Sequence, residues 1–262
     1  MKKLLKYELT FMAKFLMIYY IITLLLAALT RLFFAVATTT FLDIVAKIFQ
    51  GAFISVAITT FINVLMRYWS RFRNNFYGDE AYLTHTLPVK KGTLYASKVL
   101  GGVITMFVTL LFVIACVFLA YGTPENFEWI RNTFTSLETA FNSSLGAFVA
   151  FVCVAFVVQS LTLMTSGFLG LVIGHRFLRS KIGFSVLFGA VAYTLAQLLL
   201  LVVVLIIGAF NGEIMTMLTT NQGATIDALT TILIAGSITY FLACIGIYWL
   251  GDYFFKKGVN VD

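Results

Sequence analysis

A polar stretch decides how this chain is organised: RYWSRFRNNFYGDEAYLTHTLPVKKGTLYASK, from Arg67 to Lys98. It lies between two long apolar segments, and most of its charged residues are basic. The basic ones are Arg67, Arg71, Arg73, Lys90, Lys91 and Lys98, against the two acids Asp79 and Glu80. Because lysine and arginine concentrate in the cytoplasmic loops of membrane proteins, the stretch is predicted to lie in the cytoplasm.

The composition on either side of this stretch is typical of a membrane protein. Hydrophobic residues make up 61% of the 262 residues and charged ones only 11%, whereas a soluble domain carries about 25% charged residues. A soluble fold of this size cannot hide so much apolar surface, so most of that surface is expected to face lipid. The net charge of +7 does not indicate nucleic acid, because the basic residues occur where apolar runs end.

Six apolar segments are long enough to cross a bilayer, for which a helix needs about 20 residues. We predict an all-α integral membrane protein with spans over approximately 15–35, 49–69, 99–121, 145–173, 182–210 and 229–250. The chain is expected to form a single transmembrane domain over 1–262, with a cytoplasmic segment over 70–97 between spans two and three.

The basic residues also predict the orientation of the spans. With six spans the two termini share a side, and placing both in the cytoplasm leaves only three of the 18 lysines and arginines outside. Those three are Arg31, Lys47 and Arg131. We therefore expect a multi-pass membrane protein with cytoplasmic termini.

The first fourteen residues have an amphipathic pattern. In a helix they separate into a polar face and an apolar face, made by Lys3, Lys6, Thr10 and Lys14 and by Leu5, Leu9, Met12 and Leu16. The pattern favours a short interfacial helix over 1–14 that lies in the inner headgroup layer. The alternative is a disordered basic tail.

No motif of an enzyme is present. The sequence contains no GxxxxGK[ST], HExxH or GxSxG motif and no cysteine cluster with metal-ligand spacing. Within the six segments the ionisable residues are essentially Arg31 and Arg67, both near span ends. We expect no catalytic residue, no metal and no cofactor on this chain.

Several polar side chains occur inside the predicted spans, among them Asn63, Gln159, Tyr193 and Gln197. Two interpretations stay open, because buried amides either line a substrate path or join helices to one another. In span four, Gly170 and Gly174 form a GxxxG pair, which permits a close approach of two helices.

The middle of the polar stretch predicts a short helix. Gly78 favours a turn, and a helix beginning near Asp79 places two acids at its positive end. Leu87-Pro88 should end this helix, since the residue before proline avoids helical geometry. Exposed acids and a Thr-Leu-Pro tip are suited to docking in a groove of another protein; the alternative is a solvated loop.

The residues 78–89, GDEAYLTHTLPV, resemble the signature DE-x-YLT-x-TLPV of Gram-positive membrane permeases. These permeases belong to ATP-binding-cassette (ABC) exporters of the type-2 superfamily. The basic start MKKLLKYEL and the end KKGVNVD (256–262) are also similar to that family. With six spans and both ends inside, the resemblance covers the whole chain.

The resemblance implies a permease that pairs with a second permease, identical or related, and with two cytoplasmic ATPase subunits that bind ATP and magnesium. It implies an amphipathic connecting helix before span one and a coupling helix between spans two and three. The implied ATPase-coupling residues are Asp79, Glu80, Tyr82, Thr86, Leu87 and Pro88. Permeases of this kind are linked to the export of antimicrobial peptides, drugs or lipids, and the resemblance implies a location in the bacterial plasma membrane.

Two other functions remain open. A non-transporting sensor or assembly component would use the same cytoplasmic segment to dock a partner. A stand-alone channel is disfavoured, because no filter-like motif or charged ring is present.

Overall fold

The computed structural model describes residues 1–123, 126, 128, 132, 145–177, 180–219 and 226–257. In those ranges all of the regular secondary structure is helical. The helices are α1 (Lys2–Val36), α2 (Thr40–Tyr77), α3 (Ala81–Thr86), α4 (Lys91–Tyr121), α5 (Leu145–Gly174), α6 (Lys181–Phe210), α7 (Gly212–Thr219) and α8 (Ile226–Lys256).

Six of these helices, α1, α2, α4, α5, α6 and α8, are long and apolar enough to cross a membrane. The prediction of an all-α protein with six candidate spans is therefore confirmed for the described part of the chain. The cytoplasmic position of the termini stays a prediction. Some residues on which the predicted orientation and the resemblance depend lie outside the described residues. They are Arg131, Arg179 and the tail over 258–262.

The start of the chain differs from the prediction. Residues 2–14 do not form a separate interfacial helix but the first turns of α1, which continues without a break to Val36. The physical reason is that this segment is rich in good helix formers and contains no proline or glycine to interrupt the helix. The amphipathic pattern itself is confirmed, since Lys3, Lys6 and Lys14 are exposed while Met12 is buried.

The chain divides into two compact units. Unit 1 comprises Met1–Ser70 and Ala96–Thr133, and unit 2 comprises Arg71–Tyr95 and Phe134–Asp262. Unit 1 therefore contains α1 with most of α2 and α4. Unit 2 contains α3, α5, α6, α7 and α8 with the last turns of α2 and the first turns of α4. A single domain over 1–262 stays a prediction.

Unit 1 is held together by polar contacts between helices. The Lys98 ammonium on α4 donates to the Glu8 carboxylate on α1 at 2.5 Å, with both residues almost fully buried. Farther along, the hydroxyls of Tyr68 and Thr105 lie 2.8 Å apart, and those of Tyr20 and Thr109 2.7 Å apart. Because little water reaches these positions, each side chain needs a protein partner.

Unit 2 is packed around the GxxxG pair of α5. A methyl group on Gly170 would lie only 2.6 Å from the Cα atom of Gly189 on α6, and one on Gly174 would lie 2.5 Å from the Cα atom of Ser185. The two helices are therefore in backbone contact, as the glycine spacing predicted. Gly189 supplies the small residue on the facing helix.

We predict that Gly170→Ala destabilises the protein. The added methyl group meets backbone rather than a flexible side chain, so α5 and α6 must separate, and overpacking typically costs about 1–3 kcal/mol. The measurement is the thermal midpoint of the purified protein in detergent. The matched control is Gly246→Ala on α8, where a methyl group meets nothing within 4 Å. Equal midpoints for the two variants would contradict the close α5–α6 contact.

Candidate functional site

The candidate site is the segment between α2 and α4, and its shape follows from local sequence. α2 ends at Tyr77, where the N–H of Gly78 donates to the Arg73 carbonyl at 3.1 Å. A turn follows, closed by a 2.9 Å hydrogen bond from the N–H of Ala81 to the Gly78 carbonyl. The predicted short helix is present as α3, one and a half turns long.

α3 ends where the sequence predicted. Leu87 has extended backbone angles, φ −62° and ψ 134°, as expected for a residue before proline. The N–H of Val89 then donates to the Leu87 carbonyl at 2.7 Å, which closes a tight turn around Pro88. α4 begins directly afterwards at Lys91, so the whole connection is a compact element rather than an extended loop.

The outer side of this element carries the residues that the resemblance implicates. Asp79, Glu80, Tyr82, Thr86, Leu87 and Pro88 are all exposed. Tyr82 exposes 72% of its surface. Sequence reasoning missed Leu83, which exposes 74% and lies one helical turn before Leu87. The sequence signal for Leu83 was its i, i+4 spacing to Leu87, which lies directly after the end of α3.

The inner side of α3 faces α2. Ala81 is buried, and the Nε2 atom of His85 lies 3.2 Å from the carbonyl oxygen of Phe76. Because a carbonyl only accepts, the ring donates through Nε2 in this contact. The His85 ring also lies beside the rings of Phe76 and Phe255, with centroid distances of 6.1 and 6.3 Å. α3 is thus attached to the end of α2 and to α8.

A cluster of buried aromatic rings forms the base under this attachment. Phe72 stacks on Phe168 of α5 at 4.6 Å between centroids and meets Tyr95 of α4 edge-on at 5.8 Å. Phe76 meets Phe255 of α8 edge-on at 4.8 Å. All five rings are fully buried. We call Phe72, Phe76, Tyr95, Phe168 and Phe255 the aromatic base; it joins four helices of unit 2.

The sequence did not predict the aromatic base. Its members come from four separate helices, and only the i, i+4 pair Phe72 and Phe76 is visible as a local pattern. A neighbouring contact is similar, because Tyr77 stacks on the buried His175 at 4.1 Å between ring centroids. Both histidines of the chain therefore contact the last turn of α2.

The four polar residues proposed for a substrate path lie in different places. Asn63, in unit 1, accepts a 3.1 Å hydrogen bond from the Tyr19 hydroxyl on α1. Gln197, in unit 2, accepts one of 2.9 Å from the Tyr240 hydroxyl on α8. Gln159 is exposed and Tyr193 half-buried. Asn63 and Gln197 therefore join helices, and a role in a path stays a prediction for all four.

Among the residues that the structure describes, no group of three or more His, Cys, Asp or Glu side chains is arranged to hold a metal ion. No protein-family model, curated protein or solved structure matches this chain. The element between α2 and α4 is therefore the feature of the molecule that bears most directly on its function.

We predict that His85→Ala loosens α3 without affecting the spans. The substitution removes one hydrogen bond to Phe76, with a net contribution of about 1 kcal/mol, so the α3 amides should exchange about fivefold faster with solvent. The measurement is hydrogen exchange by mass spectrometry over residues 81–86. Tyr82→Ala, which removes a mostly exposed ring, is the control. Equal exchange in His85→Ala and the unmodified protein would show that the contact does not hold α3.

Proposed function

We propose that this chain is the membrane-spanning permease subunit of an ATP-driven ABC exporter of the type-2 superfamily. The observation that carries the proposal is α3, a short exposed helix with the residues GDEAYLTHTLPV around it and a buried aromatic base beneath it. The six candidate spans supply the transmembrane part. Because the sequence contains no GxxxxGK[ST] motif, we propose that a separate subunit hydrolyses the ATP.

The exposed side of α3 has the chemistry of a docking surface. Tyr82 and Leu83 are large side chains that expose more than 70% of their surface, and tyrosine is enriched among the residues that dominate protein interfaces. Asp79 and Glu80 stand next to them and are exposed. The partner is accordingly an ATPase whose groove has an apolar floor and a basic rim, because opposite charges steer and orient docking.

The packing under α3 supports a route for mechanical coupling. A push on α3 by the ATPase acts on His85 and the end of α2, and through Phe72 and Phe76 on the rings of α5 and α8. Since close-packed aromatic rings are hardly compressible, displacement of α3 shifts those helices instead of being absorbed locally. In this proposal the closing of the ATPase dimer on ATP and magnesium is thereby coupled to the spans.

The substrate class rests on the resemblance and on the apolar character of the spans. A hydrophobic or amphipathic molecule, such as an antimicrobial peptide, a drug or a lipid, is the proposed cargo. A second permease, most simply an identical copy, completes the transporter, as two-fold pairing is the commonest arrangement of subunits.

The first experiment is purification of the chain from its own host in mild detergent, with mass spectrometry of the proteins retained. We expect a near-stoichiometric partner that carries a GxxxxGK[ST] motif. Recovery of the chain with a partner that lacks this motif would favour a sensor or assembly component. Discrete single-channel currents from the chain alone, without ATP, would favour a channel.

We predict that Asp79→Lys/Glu80→Lys weakens the binding of the partner ATPase to the permease without unfolding the permease. Both side chains are exposed, so the thermal midpoint should change by no more than about 2 °C, while like charges against a basic rim should lower affinity more than about tenfold. The measurements are partner binding and transport-linked ATPase activity in proteoliposomes.

Two controls separate charge from other effects in this experiment. Asp79→Asn/Glu80→Gln keeps the side-chain size and removes only the charge, so an intermediate loss is expected. Asp43→Lys reverses a half-buried acid at the start of α2, where its present partner is Lys47, and should leave the ATPase activity unchanged. Unchanged activity in the Asp79→Lys/Glu80→Lys variant would remove α3 as the coupling element.

A further inference from the structure

The first turns of α1 present a positively charged face on which no acidic residue lies. Lys2, Lys3, Lys6 and Lys14 are exposed, and the only acid among the first fourteen residues is Glu8. Glu8 lies on the opposite side of the helix, with 4% of its surface exposed, and accepts a hydrogen bond from the buried ammonium of Lys98. Its charge is therefore paired in the interior and does not offset that of the exposed lysines.

Two contacts fix which side of α1 faces outward. The ion pair between Glu8 and Lys98 attaches the helix to α4, and the Arg67 guanidinium on α2 lies 3.9 Å from the centroid of the Phe15 ring. Both contacts use the side of α1 that faces away from the lysines. A buried pair of this kind is costly to break, because either partner alone would be left as a buried unpaired charge. The lysine face is thus held outward by the fold of unit 1.

The position of this face along α1 determines which layer of the bilayer it contacts. α1 has 35 residues and is about 52 Å long, whereas the hydrocarbon core is about 30 Å thick. If the apolar residues from Phe15 onward cross the core, Lys14 lies at the level of the headgroups. Lys6 is about two turns, or about 12 Å, farther along the same face, which is about one and a half times the screening length of about 8 Å at physiological salt.

We propose that the exposed face of Lys6, Thr10 and Lys14 on α1 binds the headgroups of anionic phospholipids. The face and these headgroups have opposite charges. The face carries lysines without an acid, directly beside an apolar span, and the phosphates of an anionic leaflet attract such residues. The binding is independent of the proposed ATPase partner, because it uses α1 in unit 1 and none of the residues around α3.

The test uses substitutions at Thr10, which lies between the two lysines. Its side chain is exposed and, within the part of the chain that the structure describes, bonds only to the Lys6 carbonyl of its own helix, at 2.8 Å. Thr10→Glu places a carboxylate one helical turn from both Lys6 and Lys14, where it pairs with them and neutralises the face. Thr10→Gln is the matched control, with the same length and no charge. Both are good helix formers, so α1 is retained.

The measurement is a titration of the full-length protein in neutral detergent with phosphatidylglycerol or phosphatidylcholine, followed by native mass spectrometry of the bound lipid. We expect the unmodified protein to prefer phosphatidylglycerol at least tenfold. Each lysine near an anionic surface contributes about fivefold, so Thr10→Glu and Lys6→Gln/Lys14→Gln should each lower the affinity for phosphatidylglycerol at least fivefold. Thr10→Gln should stay within about twofold of the unmodified protein.

A second control tests whether the effect is local. Lys90→Gln/Lys91→Gln removes the same number of exposed positive charges from the start of α4 and should leave the affinity for phosphatidylglycerol within about twofold. The proposal is overturned by equal affinity for the two lipids in the unmodified protein, by equal binding in Thr10→Glu and Thr10→Gln, or by an equal loss in Lys90→Gln/Lys91→Gln.

Discussion

The structure depends on one constraint, the absence of water in the hydrocarbon core. A peptide group there must find its hydrogen-bond partner within the protein, and a helix provides one for every residue. The same constraint acts on side chains: the hydroxyls of Thr23, Thr60 and Thr105 each donate to the carbonyl four residues earlier, at 2.7–2.8 Å. Burial within the protein has a similar effect outside the core, where the buried Glu8 carboxylate is paired with the buried Lys98 ammonium.

The exposed element between α2 and α4 is attached to this framework by aromatic packing. α3 has only six residues, too few for a stable helix by itself in water. It is held because His85 bonds to the end of α2 and because the aromatic base joins that end to α4, α5 and α8. A short helix can therefore present Tyr82 and Leu83 outward while remaining connected to the long helices of unit 2.

Much of the fold, and a part of the candidate site, was predictable from local sequence. The six spans follow from hydropathy, and the end of α3 follows from Leu87-Pro88, since proline restricts the residue before it. The separate helix over 1–14 was wrong because amphipathicity shows which residues share a face but not whether the helix continues. Leu83 was not predicted as a site residue, because an apolar side chain in a sequence does not indicate exposure, and only the structure shows that it is exposed.

The sequence by itself determined the spans, the small residues for the α5–α6 contact and the break after α3, because hydropathy, side-chain size and proline act over one or a few helical turns. Only the tertiary structure decided which distant residues became partners. Glu8 pairs with Lys98, and Phe72 packs on Phe168, across separations that no helical period relates. The physical reason is that many buried polar or aromatic residues are chemically equivalent candidates, and packing selects among them.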